Sequence, residues 1–193
     1  MMKKLIFSLT CCLAAGQAIA EDNSYIQILT GKTDYRMDSY YANGDASASG
    51  LRGGYFINDN LAFEMSYMRH GKANNMAVNN DFFNLERVLS KVSSINFGTR
   101  GYLSLGINFK VSAKLGIGRW TSDTNYVDAN NAYSDWGSSS GFSRHYGVGA
   151  HYEIGDKVML GLEYSKLNTG NEIVGDTGNS DLSTLALSVG LKI

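Results

Sequence analysis

The side chains able to do chemistry in this chain are few and loosely spaced. It has three histidines: His70, His145 and His151. His145 has Ser143 two residues before it and the carboxylates Glu153 and Glu163 further on. Neighbours two apart on a strand share a face, so Ser143 and His145 can meet, with Glu153 or Glu163 orienting the imidazole as in a hydrolytic triad. Three such residues specify a triad poorly, and a polar contact between packed strands explains them as well. Metal binding is weaker still. His145 and His151 on one strand stand about 20 Å apart by the rise per residue, too far to share an ion. Asp123, Asp128 and Asp135 lack the tight spacing of a calcium loop. No catalytic residue, metal site or cofactor is assigned, and the chain is expected to be no enzyme.

The elements that would position these groups are strands. Alternation of apolar with small or polar residues recurs along the chain. Leu61, Phe63, Met65 and Tyr67 interleave with Ala62, Glu64, Ser66 and Met68. Phe109 to Ile117, Val158 to Tyr164 and Leu185 to Ile193 repeat the pattern. Short polar turns fall at Ile57–Asn60, Ser104–Asn108 and Gly155–Lys157, while long polar connections span 35–45, 71–90, 122–141 and 169–181. Three short and four long connections predict eight strands, with both termini at the short-turn end. A ten-strand version would need an extra pair within 71–90, where 82–89 is apolar but does not alternate cleanly.

Composition narrows the setting. The 193 residues carry 17 Lys+Arg against 18 Asp+Glu, a balance that excludes a polybasic nucleic-acid binder. Charged residues make up only 18%, with 22 Gly, 12 Tyr and no Pro. Residues 1–20 have the layout of a cleaved secretory signal: Lys3 and Lys4, an apolar run from Leu5 to Gly16, then Ala18-Ile19-Ala20. Cleavage after Ala20 removes Cys11 and Cys12 and leaves 21–193 as one domain. A lipoprotein signal at those cysteines is the rival, with a very short apolar run before them.

Which solvent the oily faces meet is decided by the opposite faces. Those are dominated by Gly, Ala and Ser, including Gly54, Gly98, Gly116, Gly118 and Gly161. Small residues suit the crowded inside of a narrow eight-stranded barrel, and on a water-facing surface glycine would only lose entropy. The charges sharing that face, Arg52, Glu64, Arg100, Lys110, Lys114, Glu153 and Glu163, have mixed signs and can pair; Arg52, Glu64, Arg100, Lys114, Glu153 and Glu163 are expected to form a structural ion-pair network in the lumen. The oily face carries aromatics toward both ends: Tyr55, Phe109 and Tyr152 near the short turns, Tyr67, Phe142 and Tyr164 near the long connections. Rings at both rims of an apolar band predict an all-β, antiparallel, up-and-down transmembrane barrel with short periplasmic turns and long extracellular loops.

The stretch from Gly50 to Tyr67 has a strand, a short Asn-Asp turn and a returning strand with Glu64 pointing inward. With the C-terminal strand Leu182–Ile193, it resembles the small outer-membrane β-barrel superfamily of the OmpA/OmpX type. That resemblance implies a bacterial outer-membrane location, contact with outer-membrane lipid and lipopolysaccharide, and recognition of the last strand by the barrel-assembly machinery. That strand commonly ends in Phe; here the last residue is Ile193. Outer-membrane lipid A deacylases carry an Arg-His pair with a Ser two places after the His. The pairs Arg69-His70 and Arg144-His145 are followed there by Lys72 and Gly147, so the nucleophile is missing. The expected role is therefore non-enzymatic, in envelope integrity or adhesion, with Tyr- and Asn-dense segments such as 34–41 and 125–136 contacting a host or neighbouring-cell ligand. A small-solute pore or a lipid A-modifying hydrolase is the alternative.

Overall fold

A computed structural model describes residues 23–37, 43–73, 85–128, 133–170 and 180–193. The signal segment and its cleavage site after Ala20 lie outside the described residues, as do Phe82–Asn84. Eight strands follow in order: β1 (Ser24–Met37), β2 (Asn43–Asn58), β3 (Leu61–Ala73), β4 (Leu85–Ser104), β5 (Phe109–Asp128), β6 (Tyr133–Ile154), β7 (Val158–Asn168) and β8 (Ser180–Lys192). Each pairs antiparallel with its neighbour in sequence, and β1 pairs with β8 to close the barrel. Closure satisfies the backbone donors and acceptors that an open edge would expose to lipid.

Side-chain parity sorts the two faces as the alternation predicts. Phe63, Met65, Leu115, Ile117, Leu162 and Leu187 face out and are exposed, while Arg52, Arg100, Lys114 and Glu163 are buried inside. The six aromatics expected at the rims are all outward, Tyr67 least exposed at 38% and Phe142 most at 81%. Glycine makes room where chain or ring crowds the axis. A Cβ on Gly54 would lie 2.2 Å from the Tyr25 ring, and one on Gly98 would lie 2.3 Å from the Leu115 carbonyl oxygen. At Gly155, in the β6–β7 turn, φ is 61°, a conformation that favours glycine.

The upper connections differ from expectation. Segment 122–141 is mostly strand, since β5 continues to Asp128 and β6 begins at Tyr133. Ladder pairs such as Ser122↔Ser139 and Tyr126↔Ser134 hold the two together. Within 71–90, β3 continues to Ala73 and β4 begins at Leu85, so Leu85–Leu89 extend β4 and are no separate element. A transmembrane strand needs about 9–11 residues. Strand β7 has 11, whereas β4 and β5 have 20 and β6 has 22. Pairing of β3 with β4 stops at Ala73↔Ser90, and pairing of β6 with β7 stops at Arg144↔Asn168. Beyond those levels β4, β5 and β6 continue as a three-stranded sheet past the barrel mouth.

Candidate functional site

The lumen is filled in layers. Nearest the short turns, Glu153 sits between Lys110 and Lys192, each 2.9 Å away. Above it Tyr25, Phe56, Ala62, Tyr102 and Met159 form an apolar layer, with ring centroids 5.1 Å apart for Tyr25–Phe56 and 5.5 Å for Phe56–Tyr102.

The ion cluster occupies the next level. Arg100 donates from Nε to Glu64 Oε1 at 2.6 Å, and from Nη2 to Glu64 Oε2 at 3.0 Å and Glu163 Oε2 at 2.5 Å. Arg52 donates from Nη2 to Glu163 Oε1 at 2.9 Å and from Nη1 to Gln27 Oε1 at 3.1 Å. Lys114 also donates to Glu163, and the Tyr25 hydroxyl donates to Glu64. Arg100 Nη1 reaches Ser112 Oγ at 2.9 Å, and that hydroxyl lies 2.8 Å from His151 Nε2. Parity explains the convergence: each group takes an inward position of its strand, as Glu64 does between the outward Phe63 and Met65. Isolated, these charges would each cost several kcal/mol to bury; with forked pairing every carboxylate oxygen has a cation or hydroxyl beside it.

Of the six residues assigned to a lumenal network, Arg52, Glu64, Arg100, Lys114 and Glu163 meet in one cluster. Glu153 stands apart, in its own lysine pair below the aromatic layer. Gln27, Ser112 and Tyr25 also belong to the main cluster and were not singled out from the sequence. Strand β1 is apolar on both faces, with Tyr25 and Leu29 in and Ile26 and Ile28 out. Register with β2 is what identifies Gln27 as inward, opposite Arg52.

Leu29, Ala48 and Met68 pack above the ions. His70 is held nearby, its Nε2 3.0 Å from Ser94 Oγ and its Nδ1 3.2 Å from Thr33 Oγ1. The extracellular mouth is closed by Tyr35, Ala46, Ala73, Val92, Trp120, Leu167 and Leu182. Trp120 Nε1 donates to the carbonyls of Thr169 and Phe142, both at 3.3 Å, which satisfies the one polar atom of a buried indole. A lumenal void lined by Glu64, Ser66, Asn96, Lys114 and His145 measures about 10 Å³, room for about one water. Two apolar layers and an ion cluster therefore stand in series along the axis.

The triad geometry is not assembled. Ser143 and His145 both face inward, but Ser143 Oγ makes no hydrogen bond among the described residues. Glu163 is engaged by Arg52, Arg100 and Lys114, and Glu153 by two lysines. His151 lies in the ion cluster beside Arg100 and Ser112, eight residues along β6 from Ser143.

The fold is shared with solved barrels. The neisserial surface protein A, NspA, superposes with a TM-score of 0.61 at 17% identity, covering 88% of this chain and 97% of that one. OprG from Pseudomonas aeruginosa gives 0.54 at 14%, covering 89% and 97%. Ail from Yersinia pestis gives 0.53 at 12%, covering 87% and 97%. Identities this low establish a common fold alone. No curated protein sequence matches the chain. Residues 5–192 match the family described as the outer membrane protein beta-barrel domain. A closed eight-stranded barrel with a lipid-facing apolar belt, matched to that family over almost its whole length, makes this chain a member of the outer-membrane protein β-barrel family.

Proposed function

We propose that the protein works as a non-catalytic surface-contact barrel, with its functional face at the extracellular end. The observation that carries this reading is the sheet formed by β4, β5 and β6 beyond the membrane-spanning wall. Extended strands cost conformational entropy, and twenty-residue strands exceed what a bilayer demands. On β5 and β6 the surplus is polar in sequence, Thr121-Ser122-Asp123-Thr124-Asn125-Tyr126 and Ser138-Ser139-Ser140, a composition suited to adaptable contacts. The filled lumen supports the same reading, because a solute would have to displace two apolar layers and break a buried ion cluster. Ail, of the same fold, has been crystallised in complex with the heparin analogue sucrose octasulfate. A sulfated glycan is accordingly the first ligand to try.

On the same reading, residues 1–20 act as a secretory signal cleaved after Ala20. The assembly machinery reads β8, whose Leu185, Leu187, Val189, Leu191 and Ile193 all face out.

The test uses the ladder itself. Ser122 and Ser139 are cross-strand partners, so replacing the chain between them with a two-residue turn keeps the register below. The shortened barrel should retain its heat-modifiable gel mobility and lose binding to heparin-coated surfaces and to cells. Undiminished binding by the folded variant would refute the proposal, as would steady conductance in planar bilayers or altered lipid A in cells expressing the intact protein.

A further inference from the structure

The outward wall carries a feature that the surface-contact reading leaves unused. Arg119 on β5, Arg144 on β6 and Lys166 on β7 all point away from the lumen. Arg144 lies opposite Ile117 and Asn168. Arg119 is therefore one outward position higher on β5, and Lys166 one outward position lower on β7. The three step down by one position per strand.

That diagonal is nearly level in the membrane. Cross-strand partners followed once round the barrel from Leu103 on β4 lead back to β4 at Ser93, closer to the extracellular end. Hydrogen-bonded rows thus climb from β4 toward β8, as strand tilt in a closed barrel requires. The two-residue step down per strand more than offsets this climb of ten residues in eight strands, and the three cations stand side by side near the upper edge of the apolar belt. Lys166 pairs with Asp181 at 2.5 Å, while Arg119 and Arg144 make no ion pair among the described residues. Phe142 lies beside Arg119, and Tyr146 beside Lys166.

Lower on the same wall, next beneath Lys166 on β7 but past Tyr146 on β6 and past Ile117 and Leu115 on β5, the outer face is hollowed. A trough of about 590 Å³ runs across the outer face between Leu103, Ala113, Ala150, Leu162, Tyr164 and Leu185. Its floor is low where the small outward residues Ala113 and Ala150 lie opposite Val148 and Val111. Its lining is apolar, and Tyr164 is the next outward residue beneath Lys166. An anchor for negative charge therefore sits at the upper edge of the wall, with a slot for hydrocarbon lower on the same three strands.

We propose that this sector of β5–β7 is a binding site for one phosphorylated lipid A molecule of the outer leaflet. Arg119, Arg144 and Lys166 hold its phosphates, and one acyl chain lies in the trough. Arginine forks match phosphate oxygens with two bonds at once, and the tilted row places two such forks beside an ammonium. The site rests on the outer-membrane location and lies below the excision between Ser122 and Ser139. Loss of the extracellular sheet therefore leaves it intact, and the two proposals fail separately.

Native mass spectrometry of the full barrel, purified in detergent and offered bisphosphorylated lipid A, tests the assignment. Wild type should retain one lipid A at least tenfold better than the dephosphorylated form. The triple variant Arg119→Gln, Arg144→Gln, Lys166→Gln should lose roughly tenfold or more, as expected for removing interfacial cations. A control with Arg69→Gln and Lys32→Gln, outward cations elsewhere on the rim, should retain the lipid. Ala113→Trp, which fills the trough, should weaken full-length lipid A and spare a short-chain phosphorylated analogue. If the triple variant loses its heat-modifiable fold, Arg144→Gln alone should still weaken retention about threefold. Equal loss in the control, equal retention of phosphatidylglycerol, or a second copy of the chain bound in place of lipid would each overturn the proposal.

Discussion

Strand β7 and the upper half of β6 are both antiparallel ladder, yet they answer to different solvents. Along β7, Leu160, Leu162 and Tyr164 face out and Met159, Glu163 and Leu167 are buried, so every second residue is committed to lipid or to lumen. Above Arg144, β6 reads Trp136-Gly137-Ser138-Ser139-Ser140-Gly141-Phe142-Ser143, with no such alternation. Backbone pairing is indifferent to that change, and β6 stays paired to β5 throughout. The ladder makes the strand; the side-chain period reports only what surrounds it.

Substitutions that leave the ladder intact should therefore have effects graded by location. The largest is expected for Glu163→Ala, which strands Arg52, Arg100 and Lys114 in the lumen and should cost about 3–5 kcal/mol. Urea titration in detergent, read by gel mobility, measures it; a loss below about 1 kcal/mol would mean the cluster is not ion-paired. Glu64→Ala should follow closely, since it removes the carboxylate shared by Arg100 and Tyr25.

Next comes the lipid belt. Leu162→Arg should cost roughly 2–4 kcal/mol, because a charge would face hydrocarbon near mid-wall. Ser138→Arg in the extension should change stability by no more than about 0.5 kcal/mol. The pair of measurements breaks the comparison outright if the two variants unfold alike.

Steric crowding gives a smaller contrast. Gly98→Ala would place a Cβ 2.3 Å from the Leu115 carbonyl oxygen, and a cost of about 1–3 kcal/mol is expected. Gly106→Ala, with nothing within 4 Å, should be near neutral in the same titration. The smallest effect is expected for Glu153→Gln. Its partners Lys110 and Lys192 keep side-chain exposures of 16% each, so solvent screens the loss to about 1 kcal/mol or less.

Much of this is legible in the sequence. The two faces of β3, β5, β7 and β8 follow from alternation, and the short turns follow from Asn, Asp and Gly clusters. The inward charges follow from parity with Phe63, Val111 and Leu162. Harder to read were residues whose partners come from distant strands. Arg52 and Glu163 are 111 positions apart and meet across the lumen. Tyr35, which the sequence placed in the ligand-contacting segment 34–41, lies in β1 and is buried in the mouth, where its ring and that of Trp120 close the axis.

By itself the sequence determined strand parity and which face meets hydrocarbon, because those depend on side chains two residues apart on one strand, and strand number, because the polar connections between strands count it. Only the closed barrel decided how far β4, β5 and β6 run, since the residues above Ser90, Ser122 and Arg144 carry no apolar alternation to mark them as strand. Closure also decided which charges pair in the lumen and which outward cations stand level. Both depend on the stagger between strands, a quantity held in the pairing of the whole ring and in no single segment of the chain.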